Sequence, residues 1–212
     1  MEEQQGRQAA RREWRTTTDH IMALPDRAAV AIAVGAAQRL MDEYLGLPEE
    51  NRNSFILGWR LVLELLWKLL SGESPDADKE LRQRMEQYFS GPYSYLLADD
   101  ALPGSDENAA AAAIYAAEAY CNQSATSACA AAQRLVDAAS QNADRRSDDP
   151  MSTEAKAMRI RFELEEIRRI AGAVAVLERQ GITDGSLGEL HAIFARPMRD
   201  EKEKGTDPFS DK

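Results

Sequence analysis

Residues 58–74 read GWRLVLELLWKLLSGES, the most hydrophobic stretch of the chain, and hold two of its three tryptophans. A membrane span, the hub of a soluble core and an exposed binding helix are the three readings to separate. A helix that crosses a bilayer needs about 20 mostly apolar residues. Arg60, Glu64 and Lys68 interrupt this run, so the membrane reading fails. Phe55, Trp59, Val62, Leu66 and Leu69 fall on one helical face, and Ile56, Leu63, Trp67 and Leu70 on the adjacent one. A helix that is apolar over most of its circumference is enclosed by other helices. Residues 50–71 are therefore expected as the central helix of a bundle. A tryptophan-bearing recognition face is the alternative, because large aromatics also anchor interfaces.

The flanking sequence is punctuated for helices. One helix is expected over about residues 7–23, ending before Pro25, and a second from a cap at Asp26 to about Leu45, with Gly46 and Pro48 as stop signals. Ser74 and Pro75 announce a helix that runs to Phe89 and the following Gly-Pro. Ser105 opens the first of two alanine-rich segments, AAAAAIYAAEAYC and SACAAAQRLVDAA, whose composition favours closely packed helices. A long helix over about residues 152–180 carries the stripe Ile160, Leu164, Ile167, Ala171, Val174 and Leu177, and Gly181 ends it. Ser186 and Glu189 have capping-box spacing for a last short helix before Pro197. No sustained period-two alternation marks a strand. The expectation is an all-α, single-domain helical bundle of about seven or eight helices over residues 1–197. The charged residues 198–212 hold little to bury and are expected as a disordered tail.

The chain has 212 residues and a net charge of −10, from 36 acidic and 26 basic residues. Residues 99–149 carry nine acids against three bases, more than half of the excess. Sequence-independent nucleic-acid binding, which depends on Lys and Arg at phosphates, is disfavoured, and a basic partner is favoured. The N-terminal MEEQQGRQAARREWR has no apolar secretory core, so a cytoplasmic location is expected.

Catalytic signatures are absent. His20 and His191 are the only histidines, and neither belongs to a metal-binding cluster. Phosphate-loop, dinucleotide and nucleophile-elbow motifs do not occur. Cys121 and Cys129 would lie about 12 Å apart on one continuous helix, beyond the roughly 7 Å that a disulfide allows. A turn at CNQS would make a bond possible without requiring one. Glu163, Glu165 and Glu166 stand among Arg161, Arg168 and Arg169 and read as a solvated charged face. Arg7, Arg11 and Arg15 align on the first helix, with Arg12 and Trp14 beside them. Contact with an anionic surface is one reading, and pairing with the protein's own acids is the favoured one.

The order of GWRLVLELLWKLLSGES, a polar helix, AAAAAIYAAEAYCNQSATSACAAAQRLVDAA and RFELEEIRRIAGAVAVLE resembles the YjaG-like family of small all-helical bacterial proteins of unknown function. The resemblance covers roughly residues 24–180. The N-terminal arginine-bearing helix, the last helix and the tail depart from it. It implies no catalytic residues, and related helical domains occur among bacterial immunity proteins. The function expected is a non-enzymatic one: an immunity protein or antitoxin that occludes a basic toxin, with no cofactor and no metal. Candidate partner-binding residues are Asp99, Asp100, Asp106, Glu107, Asp148 and Asp149. The alternative is a self-associating regulator or scaffold, in which case the chain forms a homodimer.

Overall fold

The computed structural model describes residues 2–51, 54–72, 76–90 and 105–196. Eight α-helices and one short 3-10 turn lie among them, and no strand. They are α1 (Glu2–Ala23), α2 (Asp26–Leu45), the 3-10 turn Glu49–Asn51, α3 (Ser54–Ser71), α4 (Ala77–Ser90), α5 (Ser105–Asn122), α6 (Ala125–Arg145), α7 (Thr153–Gln180) and α8 (Asp184–Ala195). Buried residues from all eight helices join in one hydrophobic cluster. The all-α bundle is as the sequence led us to expect. The tail expected over residues 198–212 lies outside the described residues.

The hub, however, is α2. It packs against α1, α3, α5, α6, α7 and α8, whereas α3 packs against α2, α4 and α5. The cause is side-chain size. Every residue of α2 from Ala28 to Ala37 is buried, and most are Ala, Gly or Val. Small side chains let neighbours close in from every side. The larger α3 buries Ile56, Trp59, Val62, Leu63, Leu66 and Leu70 but leaves Leu57 and Leu61 exposed at 37% and 43%. Residues 58–74 therefore include a core helix at one side of the bundle rather than its axis. Trp59 is fully buried and stacks on Tyr88 with ring centroids 4.5 Å apart. The half-buried Trp67 stacks on His191 at 4.1 Å.

Local chemistry sets the helix ends. Pro25 occupies the cap position of α2 without a side-chain hydrogen bond, so Asp26 is the first helical residue and not the cap. The α5–α6 connection is a tight turn in which Gln123 adopts a φ of 50° and the Ser124 hydroxyl accepts from Ser127 N–H at 3.1 Å. Ser152 caps α7, and Gly181 ends it at a φ of 63°, a conformation that favours glycine. The cap of α8 is Thr183, three residues before the expected Ser186. The two hydroxyls exchange hydrogen bonds with each other's backbone N–H. Ser186 takes the third helical position that a glutamate fills in the usual box.

Candidate functional site

The most concentrated polar chemistry among the described residues lies where α2, α7 and α8 meet, and it includes Glu166 and Arg169, which the sequence placed on a solvated face. Glu166 is only 1% exposed. It sits on the face of α7 shared with Phe162, Ile170, Ala173 and Leu177, which points to the core. Arg39 of α2 reaches it from an otherwise apolar helix, with Nη2 donating to Oε1 at 2.9 Å and Nε donating to both oxygens at 3.2 Å. Arg169 Nε donates to the remaining side of the carboxylate, Oε2, at 2.8 Å. The expectation of a solvated face is thus corrected at Glu166. Two buried guanidinium groups clamp it, because an isolated carboxylate in that position would be far too costly to desolvate.

The same arginines finish α8. Arg39 Nη1 donates to the carbonyls of Phe194 at 3.3 Å and Arg196 at 2.7 Å, and Arg169 Nη1 donates to that of Ile193 at 2.7 Å. The last carbonyls of a helix lack intrahelical partners, and here two cations supply them where the helix dipole is negative. Glu43 Oε1 stands 3.0 Å from Arg39 Nη2. Each of the three guanidinium nitrogens of Arg39 therefore has an acceptor of the protein. Glu43 itself is pushed above the ordinary carboxylate range by desolvation, against the pull of Arg39. This network is structural: it is saturated internally and fixes α8 on α2 and α7. Its signal in the sequence was Arg39, the sole charged residue between positions 28 and 41.

Of the partner-binding candidates, Asp99 and Asp100 lie outside the described residues, as does the side chain of Asp106 in the first turn of α5. The remaining three come to one end of the bundle. Helices α5 and α6 form an antiparallel pair, with Asn108 Nδ2 donating to Gln141 Oε1 at 2.9 Å. The N-terminus of α5, with Glu107, thus lies beside the C-terminus of α6, beyond which Asp148 and Asp149 are exposed. The C-terminus of α2 reaches the same end, because Leu47 and Arg145 line one small crevice there. It adds three exposed acids that the sequence reading had not singled out, Asp42, Glu49 and Glu50. Glu107 faces Arg134 at 3.8 Å, and Asp149 Oδ1 accepts from Met151 N–H at 2.9 Å within its own turn. Among the described residues no ion pair engages Glu49, Glu50 or Asp148.

The other titratable groups are dispersed. His20 Nδ1 lies 2.6 Å from Glu178 Oε1 at the opposite end of the bundle. Cys121 and Cys129 are free, half-buried thiols on two different helices, and burial pushes both thiols up. Such a shift makes a thiol a poorer nucleophile at neutral pH. Among the described residues no group of three His, Cys, Asp or Glu side chains is placed to hold a metal ion. No helix of the described residues is long and apolar enough to cross a membrane. On α1, Arg7 pairs with Glu3 at 3.1 Å. Arg11, Arg12 and Arg15 make no ion pair among the described residues, so self-pairing accounts for one arginine of the four.

Among the described residues, the fold and these sites define a bundle of eight helices with a buried ionic clamp and an acidic end. Comparison with protein-family models, with curated proteins and with solved structures gives no match.

Proposed function

We propose that the chain is a non-enzymatic binding protein that takes a basic protein partner on its acidic end, in the manner of an immunity protein or antitoxin occluding a toxin. The observation that carries this reading is the convergence of Asp42, Glu49, Glu50, Glu107, Asp148 and Asp149, from three separate helix termini, on one end of the bundle. Net negative charge at this end, where the exposed Arg145 and Arg146 also lie, steers a basic partner and raises the association rate. The order of segments that resembles the YjaG-like family, and its helical immunity relatives, supports the same class of role. A cytoplasmic setting accords with the two free thiols.

The test is affinity capture from the native lysate at low and high salt, followed by association kinetics with the captured partner. Charge reversal at Glu49, Glu50, Asp148 and Asp149 is expected to slow association and flatten its salt dependence. Association that is unchanged by the reversal removes the acidic end from the account. A second reading, self-association, has its own observation: Leu57 and Leu61, four residues apart, are exposed on the outer side of α3. If that strip joins two copies, Leu61→Glu converts a dimer to a monomer in sedimentation.

A further inference from the structure

Helices α1, α6 and α7 line a cleft of about 250 Å³, away from both the ionic clamp and the acidic end. Its chemistry is of mixed sign. Arg7 and Arg11 line it from α1, Asp137 and Ser140 from α6, and Glu163 from α7, with Trp14 and Ile167 among its apolar lining. Trp14 is itself half-buried against the core. Arg11 makes no ion pair among the described residues. Each carboxylate is served only by a neutral donor: Gln133 Nε2 donates to Asp137 at 2.7 Å, and the Ser140 hydroxyl donates to Glu163. Cation and anions thus line one cleft without touching.

We propose that this cleft binds a single free α-amino acid with an apolar side chain. The ligand's carboxylate lies against the guanidinium of Arg11, with Arg7 beside it. Its ammonium group lies between Asp137 and Glu163, and its side chain lies against Trp14 and Ile167. The arrangement selects this class by exclusion as well as by fit. A phosphate or other plain anion would meet two carboxylates. A metal cation would meet arginines, and two carboxylates fall short of the six to eight oxygens that calcium takes. A zwitterion satisfies both signs at once, through charge-assisted hydrogen bonds. The volume corresponds to roughly eight water molecules at about 30 Å³ each, enough for one amino acid. The cleft opens between α1, α6 and α7 and not at the acidic end, so it stands or falls independently of the proposed partner.

Isothermal titration of the full chain with L-leucine and L-phenylalanine tests the proposal, with N-acetyl-L-phenylalanine and L-phenylalaninamide as probes that each lack one charge. At least one of the two amino acids is expected to bind, and the single-charge form of phenylalanine to bind at least about tenfold more weakly, or about 1.4 kcal/mol. Arg11→Gln and Asp137→Asn are each expected to abolish binding while leaving the helical circular-dichroism signal intact, since both residues lie at the surface of the cleft. Glu163→Gln keeps a partner for Ser140 and is expected to weaken binding as well. No heat from either amino acid at the solubility limit overturns the proposal. So does equal binding of the acetylated or amidated form, or binding that survives Arg11→Gln and Asp137→Asn.

Discussion

Arg39 and Glu166, 127 positions apart in the chain, meet inside the bundle with the guanidinium laid along the carboxylate and both side chains shut off from solvent. Neither helix buries a lone charge, because each supplies the other's counterion. A pair of this kind adds little net stability over an apolar pair of the same volume, but removing one partner strands the other. Its effect is to select one seating of α7 and α8 on α2.

Glu166→Leu should therefore destabilise the protein by roughly 3–5 kcal/mol, since it removes the buried carboxylate that two guanidinium groups share and leaves them only the more exposed Glu43 and Glu165. The triple variant Arg39→Met, Glu166→Leu, Arg169→Met should recover much of that loss. Urea unfolding followed by circular dichroism measures both. A triple variant no better than the single one would mean that capping the α8 carbonyls matters more than the charge balance.

Gly35 and Gly172 should respond in opposite directions to the same substitution. A Cβ at Gly35 would overlap the ring of Phe194, which seats α8 on α2. Gly35→Ala is expected to cost about 1–3 kcal/mol through overpacking. Nothing lies within 4 Å of the Cβ position at Gly172, in the interior of α7. Gly172→Ala is expected to stabilise the protein by about 0.5–1 kcal/mol through helix propensity. Thermal unfolding of the two variants against the parent decides this, and two shifts of the same sign would contradict it.

At the start of α8, Thr183→Ala removes the acceptor of Ser186 N–H and should cost about 1 kcal/mol. Glu189→Ala should be close to neutral, because that residue makes only exposed contacts, with Gln180 at 3.1 Å and Arg179 at 3.6 Å. Equilibrium unfolding that ranked the two the other way would restore the S-x-x-E reading of the cap.

Glu43 predicts a pH dependence. Desolvation raises its folded-state value above the ordinary 4.5. The folded protein thus holds a proton that the unfolded chain releases, and stability from this group falls as pH rises from about 4.5 through the raised value. About a third of the side chain is exposed, 35%, so solvent moderates the effect. Glu43→Gln should gain on the parent as pH increases from 4.5 towards neutrality. A difference in melting temperature that stays constant across that range would count against the assignment.

Helix class and most helix boundaries were legible because Pro, Gly and Ser stand at the ends and alanine fills the interiors. The choice of hub was not. Residues 58–74 are the most hydrophobic, and hydrophobicity drew attention to them, but the central place went to α2, whose small side chains set how closely neighbours approach. Glu166 was misread for a related reason. Within RFELEEIRRI three glutamates look alike, and what separates the buried one from Glu163 and Glu165 is its place in line with Phe162 and Ile170 and the partner delivered by Arg39 from a distant helix. The acidic end was half legible. Glu107, Asp148 and Asp149 lie in one acidic segment, whereas Asp42, Glu49 and Glu50 join them only through the course of α2. The cleft was present in the sequence only as Arg7, Arg11 and Trp14, since its carboxylates come from other helices.

The alanine lining of α2, α5 and α6 bears on how this molecule tolerates change. An alanine side chain has no rotamers to surrender on folding, so a core built from it loses less conformational entropy per residue than one built from leucine. The same core has no slack. A substituent larger than methyl at Ala112, Ala116, Ala128 or Ala132, each fully buried, must displace its close-packed neighbours. Substitutions should therefore accumulate at the outer faces of α3 and α7, while the axis of the bundle stays small.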